Sequence, residues 1–398
     1  MLDGHAADAA ERWGTPLYLT DLDMGAARLA AYQTAFPGAL IAYALKANPD
    51  PQLLRRLVAD GAGCEVVTAV ELALALRAGC PGERVVMNGI GKRDEELHLA
   101  LAAGAVVNAE SLDELARLLV LAADHERSRV GLRLNPALDA ATHSHLATGA
   151  ASAKFGISIG DLPQALALMR DAGQSLACLG AHIGSGIDSL EPFAELARRL
   201  AAAGSDATAA GLAPKLIDLG GGLAGADPDA LAKAVGPAVP DPARLILEPG
   251  RSLVADAGWL LTRVVRTQPR PEAGCGYLVA DAGMTELIRP MLYGASHPVS
   301  LILPGAPFTP TGETHLAGPI CEAGDILARD LARWLSPDEL AHAGDGALLA
   351  IHQVGAYGAA MASTYNGRLR PAEAVIEGDE VRLSRRRESL DDLVARDA

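Results

Sequence analysis

The sequence predicts an α/β protein in which a parallel (β/α)8 barrel is followed by an antiparallel β domain. Three observations support this prediction. Short apolar runs alternate eight times with segments of helical periodicity. Polar residues or glycines follow these runs, where such barrels place their active sites. Beyond about Val264, turns rich in proline and glycine separate several of the strand-like runs in place of helices.

The eight runs predicted as barrel strands are rich in apolar or β-branched residues. They cover residues 39–45, 63–67, 84–87, 105–107, 130–134, 179–183, 216–219 and 244–247. Between them, alanine, leucine, glutamate and arginine recur with the period of an amphipathic helix. The clearest helices are predicted at residues 51–60, 69–78, 111–123 and 190–203. The polar residues at or near the strand ends are Lys46, Glu65, Asn88, Glu110, Asn135, His182 and residues 220–222 and 248–251.

The strands of the second domain are predicted at residues 258–267, 277–280, 299–303, 347–352 and 373–383. We expect residues 1–30 to join this β domain, the barrel to span residues 31–260, and the β domain to span residues 261–398. Two polar stretches, 137–154 and 305–314, are predicted to be long loops, which in compact proteins are often functional.

Composition and charge exclude several classes of function. Half of the 398 residues are hydrophobic, and the net charge of −15 argues against nucleic acid and anionic membranes as partners. The five cysteines are odd in number and lack metal-ligand spacing, so we expect no metal and a reducing compartment. No apolar run is long enough to span a bilayer, and no secretory signal is visible. We therefore expect a cytoplasmic protein.

Lys46 ends the first predicted barrel strand, in the run Tyr43-Ala44-Leu45-Lys46-Ala47-Asn48. A lysine buried at this place is costly unless it is used, and a desolvated lysine is nucleophilic enough to form a Schiff base. Taken alone, the residue is better interpreted as a strand-end lysine whose amine reaches solvent.

Three other segments follow predicted strands. The glycines at 220–222 offer the backbone N–H groups and close approach that a phosphate site requires, but they also fit a tight turn. Glu248 could pair with a pyridine nitrogen and Arg251 with an anion, or the two could form a structural ion pair. His182 could stack on a cofactor ring, with Ser185 donating to phosphate, although a lone histidine is more often structural.

In this order, these segments and several in the second half resemble the fold-type III pyridoxal-phosphate (PLP) decarboxylases, which have an alanine-racemase-like barrel. The family includes ornithine, arginine and diaminopimelate decarboxylases, and the resemblance runs from Trp13 to Arg368. More narrowly, the chain looks like the diaminopimelate decarboxylases. The residues behind that choice are Tyr43-Ala44-Leu45-Lys46-Ala47-Asn48, Leu134-Asn135-Pro136 with Thr142-His143, Lys154-Phe155-Gly156, Leu287-Ile288-Arg289-Pro290 and Cys321-Glu322.

The resemblance implies a PLP site in the barrel. Lys46 would hold the cofactor as a Schiff base, His182 would stack on the pyridine ring, and Glu248 would pair with the ring nitrogen. The residues implied for the phosphate side of the cofactor are Ser185, Gly220, Gly221, Gly222, Gly250, Arg251 and Tyr357.

The resemblance also implies how the substrate is held and protonated. Cys321 would protonate the carbanion left when CO2 departs. Together with Lys46 and His182, it is one of the three expected catalytic residues. Cys321 and Glu322 would come from the partner subunit of a homodimer with shared active sites. The expected substrate-binding residues are Arg251, Arg289, Tyr293, Glu322 and Tyr357.

The expected reaction is decarboxylation of meso-2,6-diaminopimelate to L-lysine and CO2, in lysine biosynthesis. This substrate has an amino acid group at each end, so its distal end needs a cationic and an anionic contact, as Arg251, Arg289 and Glu322 would provide. Departures from the family pattern, such as Thr68, Gly186 and Ala323, leave open a related decarboxylase acting on ornithine, lysine, arginine or a secondary-metabolite amino acid. The remaining alternatives are an amino-acid racemase and a non-catalytic PLP-binding protein.

Overall fold

The computed structural model describes residues 2–138, 148–150, 152–225, 227–236, 243–395 and 397. Its strands are β1 (Leu17–Asp21), β2 (Leu40–Ala44), β3 (Gly63–Val66), β4 (Val85–Met87), β5 (Val106–Ala109), β6 (Arg129–Asn135), β7 (Ile157–Ser158), β8 (Cys178–Ala181), β9 (Leu216–Asp218), β10 (Arg244–Leu247), β11 (Gly258–Arg270), β12 (Cys275–Ala280), β13 (Val299–Leu303), β14 (Glu313–Ala317), β15 (Ile326–Ala328), β16 (Leu348–Ile351), β17 (Ala372–Glu377) and β18 (Glu380–Arg385).

The α-helices of the described residues are α1 (Leu2–Trp13), α2 (Leu22–Ala35), α3 (Pro51–Ala59), α4 (Ala69–Arg77), α5 (Asp94–Ala103), α6 (Leu112–Ala122), α7 (Leu162–Asp171), α8 (Glu191–Ala209), α9 (Pro228–Val235), α10 (Arg251–Val254), α11 (Arg289–Tyr293), α12 (Pro337–Ala341) and α13 (Leu390–Val394). The chain divides into two units. We call Ala26–Leu253 the barrel unit, and Met1–Gly25 with Val254–Ala398 the β unit.

Eight parallel strands close into a barrel in the barrel unit. Their order around the ring is β2, β3, β4, β5, β6, β8, β9 and β10, and β10 pairs with β2 to close it. The short strand β7 pairs with β6 outside the ring. Each of the eight strands coincides with a predicted run, so the barrel prediction is confirmed.

The interior of the barrel contains an apolar part and a polar part. The apolar part is a cluster of buried side chains from six strands, formed by Leu40, Ala42, Val86, Val106, Cys178, Leu216 and Ile246. Polar side chains at or near the carboxyl ends of the strands are also buried, namely Glu65, Asn88, Asn108, Asp218 and Glu248. An unsatisfied buried polar group costs roughly 1–3 kcal/mol. A cluster of buried polar groups at the carboxyl ends of the strands therefore indicates that this end of the barrel has a function and is not ordinary core packing.

The β unit is built on a sheet of nine strands. Its main path runs β15-β14-β12-β11-β1-β17-β18, and β16 joins β13 to β11. All neighbouring pairs of its described strands are antiparallel except β1 with β17 and β12 with β14. Alanines of α1 pack on Leu17, Leu19 and Leu261, so this helix covers one face of the sheet. The mostly antiparallel sheet confirms the predicted β domain.

Several details of the β unit differ from the sequence-based expectation. The sequence predicts one strand over residues 373–383, whereas Gly378, with φ of +59°, turns the chain into the hairpin of β17 and β18. Strands β1 and β15 are not among the predicted strands. Strand β14 begins inside the loop predicted at 305–314, because pairing with β12 and β15 orders a polar segment. None of the described helices combines the length and apolar character needed to cross a membrane.

Candidate active site

The predicted cofactor residues of the barrel unit lie after the carboxyl ends of its strands. Lys46 stands in a 3-10 turn that follows β2, and His182 follows β8. The glycines at 220–222 follow β9, and Glu248 follows β10. Because the carboxyl ends of parallel strands meet at one end of a barrel, these residues share one mouth.

Lys46 is held by a buried carboxylate. Its Nζ lies 2.5 Å from Oε2 of Glu65, whose side chain is 2% exposed, whereas the lysine side chain is 38% exposed. The amine is therefore fixed by a partner and still accessible from outside. A lysine that only reached for solvent would not need such a partner, so the geometry favours a functional Lys46.

The turn that carries Lys46 is held by its neighbours. The hydroxyl of Tyr43 donates to the carbonyl oxygen of Asn48 at 3.0 Å, which ties the strand to the end of the turn. A Cβ on Gly250 would lie 3.1 Å from the side chains of two alanines of this segment. A larger residue at Gly250 would therefore push against the turn and displace Lys46.

Buried amides connect Glu65 with Glu248. Nδ2 of Asn88 donates to Oε1 of Glu248 at 2.6 Å and lies 3.3 Å from Oε1 of Glu65. Nδ2 of Asn108 donates to Oδ1 of Asn88 at 2.9 Å. The network orients both carboxyl groups, and it gives Asn88 and Asn108 a role that sequence reasoning did not assign.

Glu248 shares its buried space with a second carboxyl group, that of Asp218. The two side chains lie within hydrogen-bonding reach of each other, and both are almost fully buried. Burial raises the pKa of Asp218 to about 6. Burial, together with the charges of Asp218 and Glu65, raises the pKa of Glu248 well above its usual range. Two buried carboxylates within hydrogen-bonding reach cannot both ionise at low cost, so the folded protein favours a pair that shares a proton.

We expect this carboxyl pair to make the ligand-free protein less stable as the pH rises. Both groups have a higher pKa in the folded than in the unfolded state, so the folded protein binds more protons above about pH 4. For Asp218 the stabilisation is present below about pH 4 and is lost as the pH rises through about 6, by at most about 1.4 kcal/mol per pH unit.

Urea unfolding of the ligand-free protein between about pH 4 and 8 measures this effect. Asp218→Asn should remove part of the decline, whereas Asp229→Asn, at an exposed position in α9, should keep it. Identical pH slopes for wild type and Asp218→Asn would contradict the shared proton.

His182 is neutral at physiological pH. Burial lowers the pKa of its imidazole well below the usual value, and the positive charges of Arg133 and Lys46 lower it further. Its Nδ1 accepts a hydrogen bond from the backbone N–H of Gly221 at 3.1 Å, which places the ring proton on Nε2. A neutral ring in a fixed orientation is suited to stacking on a flat aromatic ligand.

The glycine loop after β9 has no room for side chains. A Cβ on Gly221 would lie 2.1 Å from the carbonyl oxygen of Glu248, and one on Gly222 would lie 2.0 Å from that of Gly184. The N–H of Gly220 donates to Oδ1 of Asp218, and the N–H of Gly221 donates to His182. Without side chains, the loop allows a ligand to approach its backbone closely. Two of its three N–H groups already have partners inside the protein.

Ser185 and Arg251 lie together in the barrel unit. Nη2 of Arg251 donates to Oγ of Ser185 at 3.3 Å. Arg251 begins α10 directly after Gly250. A hydroxyl beside a guanidinium is a suitable pair for binding an anionic oxygen such as that of a phosphate.

Arg289 and Tyr293, expected to bind the substrate, begin and end helix α11 of the β unit. Nη1 of Arg289 lies 3.1 Å from Nε2 of His297. His297 is 2% exposed, and its Nδ1 lies 2.9 Å from the carbonyl oxygen of His352. The orientation of Arg289 therefore depends on a buried histidine for which the sequence predicted no role.

Cys321 and Glu322 lie in the loop between β14 and β15, and both are exposed. Oε1 of Glu322 accepts a hydrogen bond from the hydroxyl of Tyr365 at 2.9 Å, and this contact raises the pKa of Tyr365. Tyr357 lies between β16 and β17 with φ of +61°. Tyr365 is thus a further candidate that sequence reasoning did not assign to the site.

Two of the departures from the family pattern have a structural explanation. Thr68 caps α4 by accepting a hydrogen bond from the N–H of Glu71 at 3.1 Å. Gly186 has φ of +76°, a conformation that glycine favours. Nothing in the structure explains Ala323. Thr142 and His143, which carried part of the resemblance, lie outside the described residues.

Comparisons with known proteins identify the family of this chain. The family model described as pyridoxal-dependent decarboxylase, pyridoxal binding domain, matches residues 24–255. The diaminopimelate decarboxylase of Deinococcus radiodurans is 44% identical over 397 residues, which cover 99% of both chains. That of Neisseria meningitidis is 38% identical and covers 97% of this chain and 95% of its own.

Solved structures give the same result for the fold. The crystal structure of diaminopimelate decarboxylase from Helicobacter pylori, complexed with L-lysine, matches with a TM-score of 0.90 at 31% identity and covers 98% of both chains. The family match covers more than half of the chain, and the relatives match it over nearly its whole length. The chain therefore belongs to the pyridoxal-dependent decarboxylases, in the family of the diaminopimelate decarboxylases.

Proposed function

We propose that this PLP-dependent carboxy-lyase converts meso-2,6-diaminopimelate to L-lysine and CO2. The observation that carries the proposal is the 44% identity, over 99% of the chain, to a relative named for this activity. A structural neighbour is complexed with L-lysine, the product that the proposal assigns to this enzyme.

The mouth of the barrel fits PLP group by group. The accessible amine of Lys46 suits the aldehyde, the neutral ring of His182 suits the flat face, and the pair of Ser185 and Arg251 suits the phosphate. When bound, PLP supplies an electron-poor ring that accepts the electron pair left as CO2 departs.

Residues of this chain prepare the cofactor site. We assign Lys46 to covalent attachment, with Glu65 holding its amine. Glu248 would pair with the ring nitrogen, and Asn88 fixes the orientation of its carboxyl group. His182 would stack on the ring. The groups assigned to the phosphate side are Ser185, Gly220, Gly221, Gly222, Gly250, Arg251 and Tyr357.

The β unit supplies the groups that distinguish this substrate from a simple diamino acid. Arg289 is the cation for the distal carboxylate, with Tyr293 and Tyr357 of the same unit and Arg251 of the barrel unit as further polar contacts. Glu322 is the anion for the distal ammonium group, and the hydroxyl of Tyr365 orients it. A substrate such as ornithine has no distal carboxylate, so Arg289 would have no counterpart in it.

Cys321 is assigned to proton return. Its thiol is exposed in a loop and directly precedes Glu322, so it can approach the carbon that has lost CO2. The thiol S–H bond breaks as the new C–H bond forms, and solvent later returns a proton to the thiolate.

The working form is proposed to be a cytoplasmic homodimer. Cys321 and Glu322 of one subunit serve the active site whose cofactor is bound by the partner subunit, as the family resemblance implies. In this proposal the domains predicted at residues 31–260 and at 261–398 with 1–30 correspond to the barrel unit and the β unit, and strand β11, which begins at Gly258, assigns residues 258–260 to the β domain.

Growth of a lysine-requiring bacterial strain that lacks its own diaminopimelate decarboxylase tests the function in a cell. We expect the wild-type chain to restore growth without added lysine and Lys46→Ala to fail. Expression of soluble, PLP-loaded wild-type protein without restored growth would contradict the proposal.

A further inference from the structure

The carboxylate of Asp325 joins two segments of the β unit. Asp325 is 3% exposed, although it lies only three residues after the exposed Glu322. Its Oδ1 accepts a hydrogen bond from the backbone N–H of Met284 at 2.6 Å, and its Oδ2 accepts one from that of Ile320 at 2.8 Å. One side chain therefore fixes two backbone segments that are far apart in sequence.

The first segment leads to Arg289. After Met284 the chain turns at once, because the N–H groups of Glu286 and Leu287 both donate to the carbonyl oxygen of Gly283. Helix α11 begins two residues after Leu287, with Arg289. A shift of Met284 is therefore transmitted to Arg289 through a short, hydrogen-bonded stretch of chain.

The second segment carries Cys321 and Glu322. Ile320 directly precedes them, its carbonyl oxygen accepts from the N–H of Glu322 at 2.8 Å, and the carbonyl oxygen of Glu322 accepts from the N–H of Asp325 at 3.1 Å. The loop is thus closed on itself, and the carboxylate of Asp325 holds its entry point.

Two glycines make the space for this carboxylate. A Cβ on Gly283 would lie 2.7 Å from Oδ2 of Asp325, and one on Gly318 would lie 2.3 Å from the same atom. Neither glycine is among those with a positive φ, so the requirement for glycine comes from close packing. Besides the carboxylate, a Cβ on Gly318 would lie 2.4 Å from the Cα of Gly283, and one on Gly283 would lie 2.9 Å from Cδ of Pro319. The carboxylate of Asp325 thus lies in close contact with both segments.

We propose that Asp325 is a positioning residue that couples the two active sites of the homodimer. This inference rests on the proposed function, in which Arg289 serves the site of its own subunit and Cys321 with Glu322 serves the partner's site. Since Asp325 fixes both segments, its loss in one subunit displaces one group in each of the two sites.

Heterodimers with one altered subunit test this coupling. Two differently tagged chains are co-expressed and purified on both tags, so that each dimer contains one chain of each kind. A dimer of wild type and Cys321→Ala should keep about half of the wild-type kcat per dimer, because only one site lacks its thiol. A dimer of wild type and Asp325→Asn should fall well below half, because both sites are displaced.

The homodimer of Asp325→Asn should lose at least about tenfold in kcat/KM, with an unchanged PLP absorbance band, since the cofactor residues around Lys46 belong to the barrel unit. The matched control is Glu373→Gln, which breaks the ion pair with Arg385 in the same β unit. Its heterodimer with wild type should keep more than half of the wild-type activity. A heterodimer of wild type and Asp325→Asn that retains half or more would overturn the coupling.

Hydrogen exchange measured by mass spectrometry provides a readout that does not depend on activity. In Asp325→Asn, peptides covering residues 283–289 and 318–322 should both exchange faster than in wild type and in Glu373→Gln. Faster exchange in only one segment, or in neither, would overturn the inference. If instead the Cys321→Ala heterodimer does not lose half of its activity, the shared-site dimer of the proposed function fails, and hydrogen exchange still tests Asp325.

Discussion

Replacing Lys46 with alanine is expected to abolish decarboxylation and to remove the visible absorbance band of the PLP-loaded enzyme. The amine is the group that can bind the cofactor covalently, and Glu65 holds it at the barrel mouth, 2.5 Å from a carboxylate oxygen. Loss of the covalent nucleophile should lower kcat by roughly four orders of magnitude or more.

The matched control for this change is Lys233→Ala, which removes an exposed lysine from the last turn of α9. Its absorbance spectrum and its rate should match those of the wild type. A Lys46→Ala protein that keeps the visible band, or that decarboxylates within about tenfold of the wild-type rate, would show that another amine binds the cofactor.

Replacing Arg289 with methionine should raise the KM for meso-diaminopimelate by about 100-fold. The change removes the cation for the distal carboxylate but keeps a long side chain at the start of α11. Truncation of one partner of a buried charge pair costs about 3 kcal/mol, which corresponds to this factor in affinity. The PLP absorbance should be unchanged, because the cofactor residues around Lys46 belong to the barrel unit.

Arg266→Met is a suitable control, because Arg266 is an exposed arginine of β11 in the same unit. Steady-state kinetics of both variants with meso-diaminopimelate separate a specific effect from a general one. If Arg289→Met leaves KM within about twofold of the wild-type value, the distal carboxylate has another partner.

The barrel, and the position of several candidate site residues at the carboxyl ends of its strands, could be predicted from the sequence because local patterns encode them. Each barrel strand is a short apolar run, and Lys46, the glycines at 220–222 and Glu248 follow the ends of such runs. The antiparallel sheet was harder to predict. Strand β14 contains the polar residues Glu313, Thr314 and His315, and only its pairing with β12 and β15 makes it a strand.

The hydrogen bonds that orient the site residues could not be predicted, because they join residues distant in sequence. Asn88 and Glu248 form a hydrogen bond although they are 160 residues apart in sequence, and Met284 and Asp325 do so although they are 41 residues apart. Asp218 follows two apolar residues in a strand, and its sequence gives no sign that it faces Glu248. The pKa of each buried carboxyl group depends on such neighbours, so the protonation of the site is a property of the fold.

Carbon dioxide release from a panel of amino acids tests the central claim most directly. The purified, PLP-loaded enzyme is assayed with meso-diaminopimelate, L-lysine, L-ornithine and L-arginine, and the product of the first is identified as L-lysine by chiral chromatography. We predict a kcat/KM for meso-diaminopimelate at least about 100-fold above that of each other compound, since only this substrate has distal groups for both Arg289 and Glu322. An enzyme with an intact PLP band that releases no CO2 from meso-diaminopimelate, or prefers another member of the panel, would contradict the account.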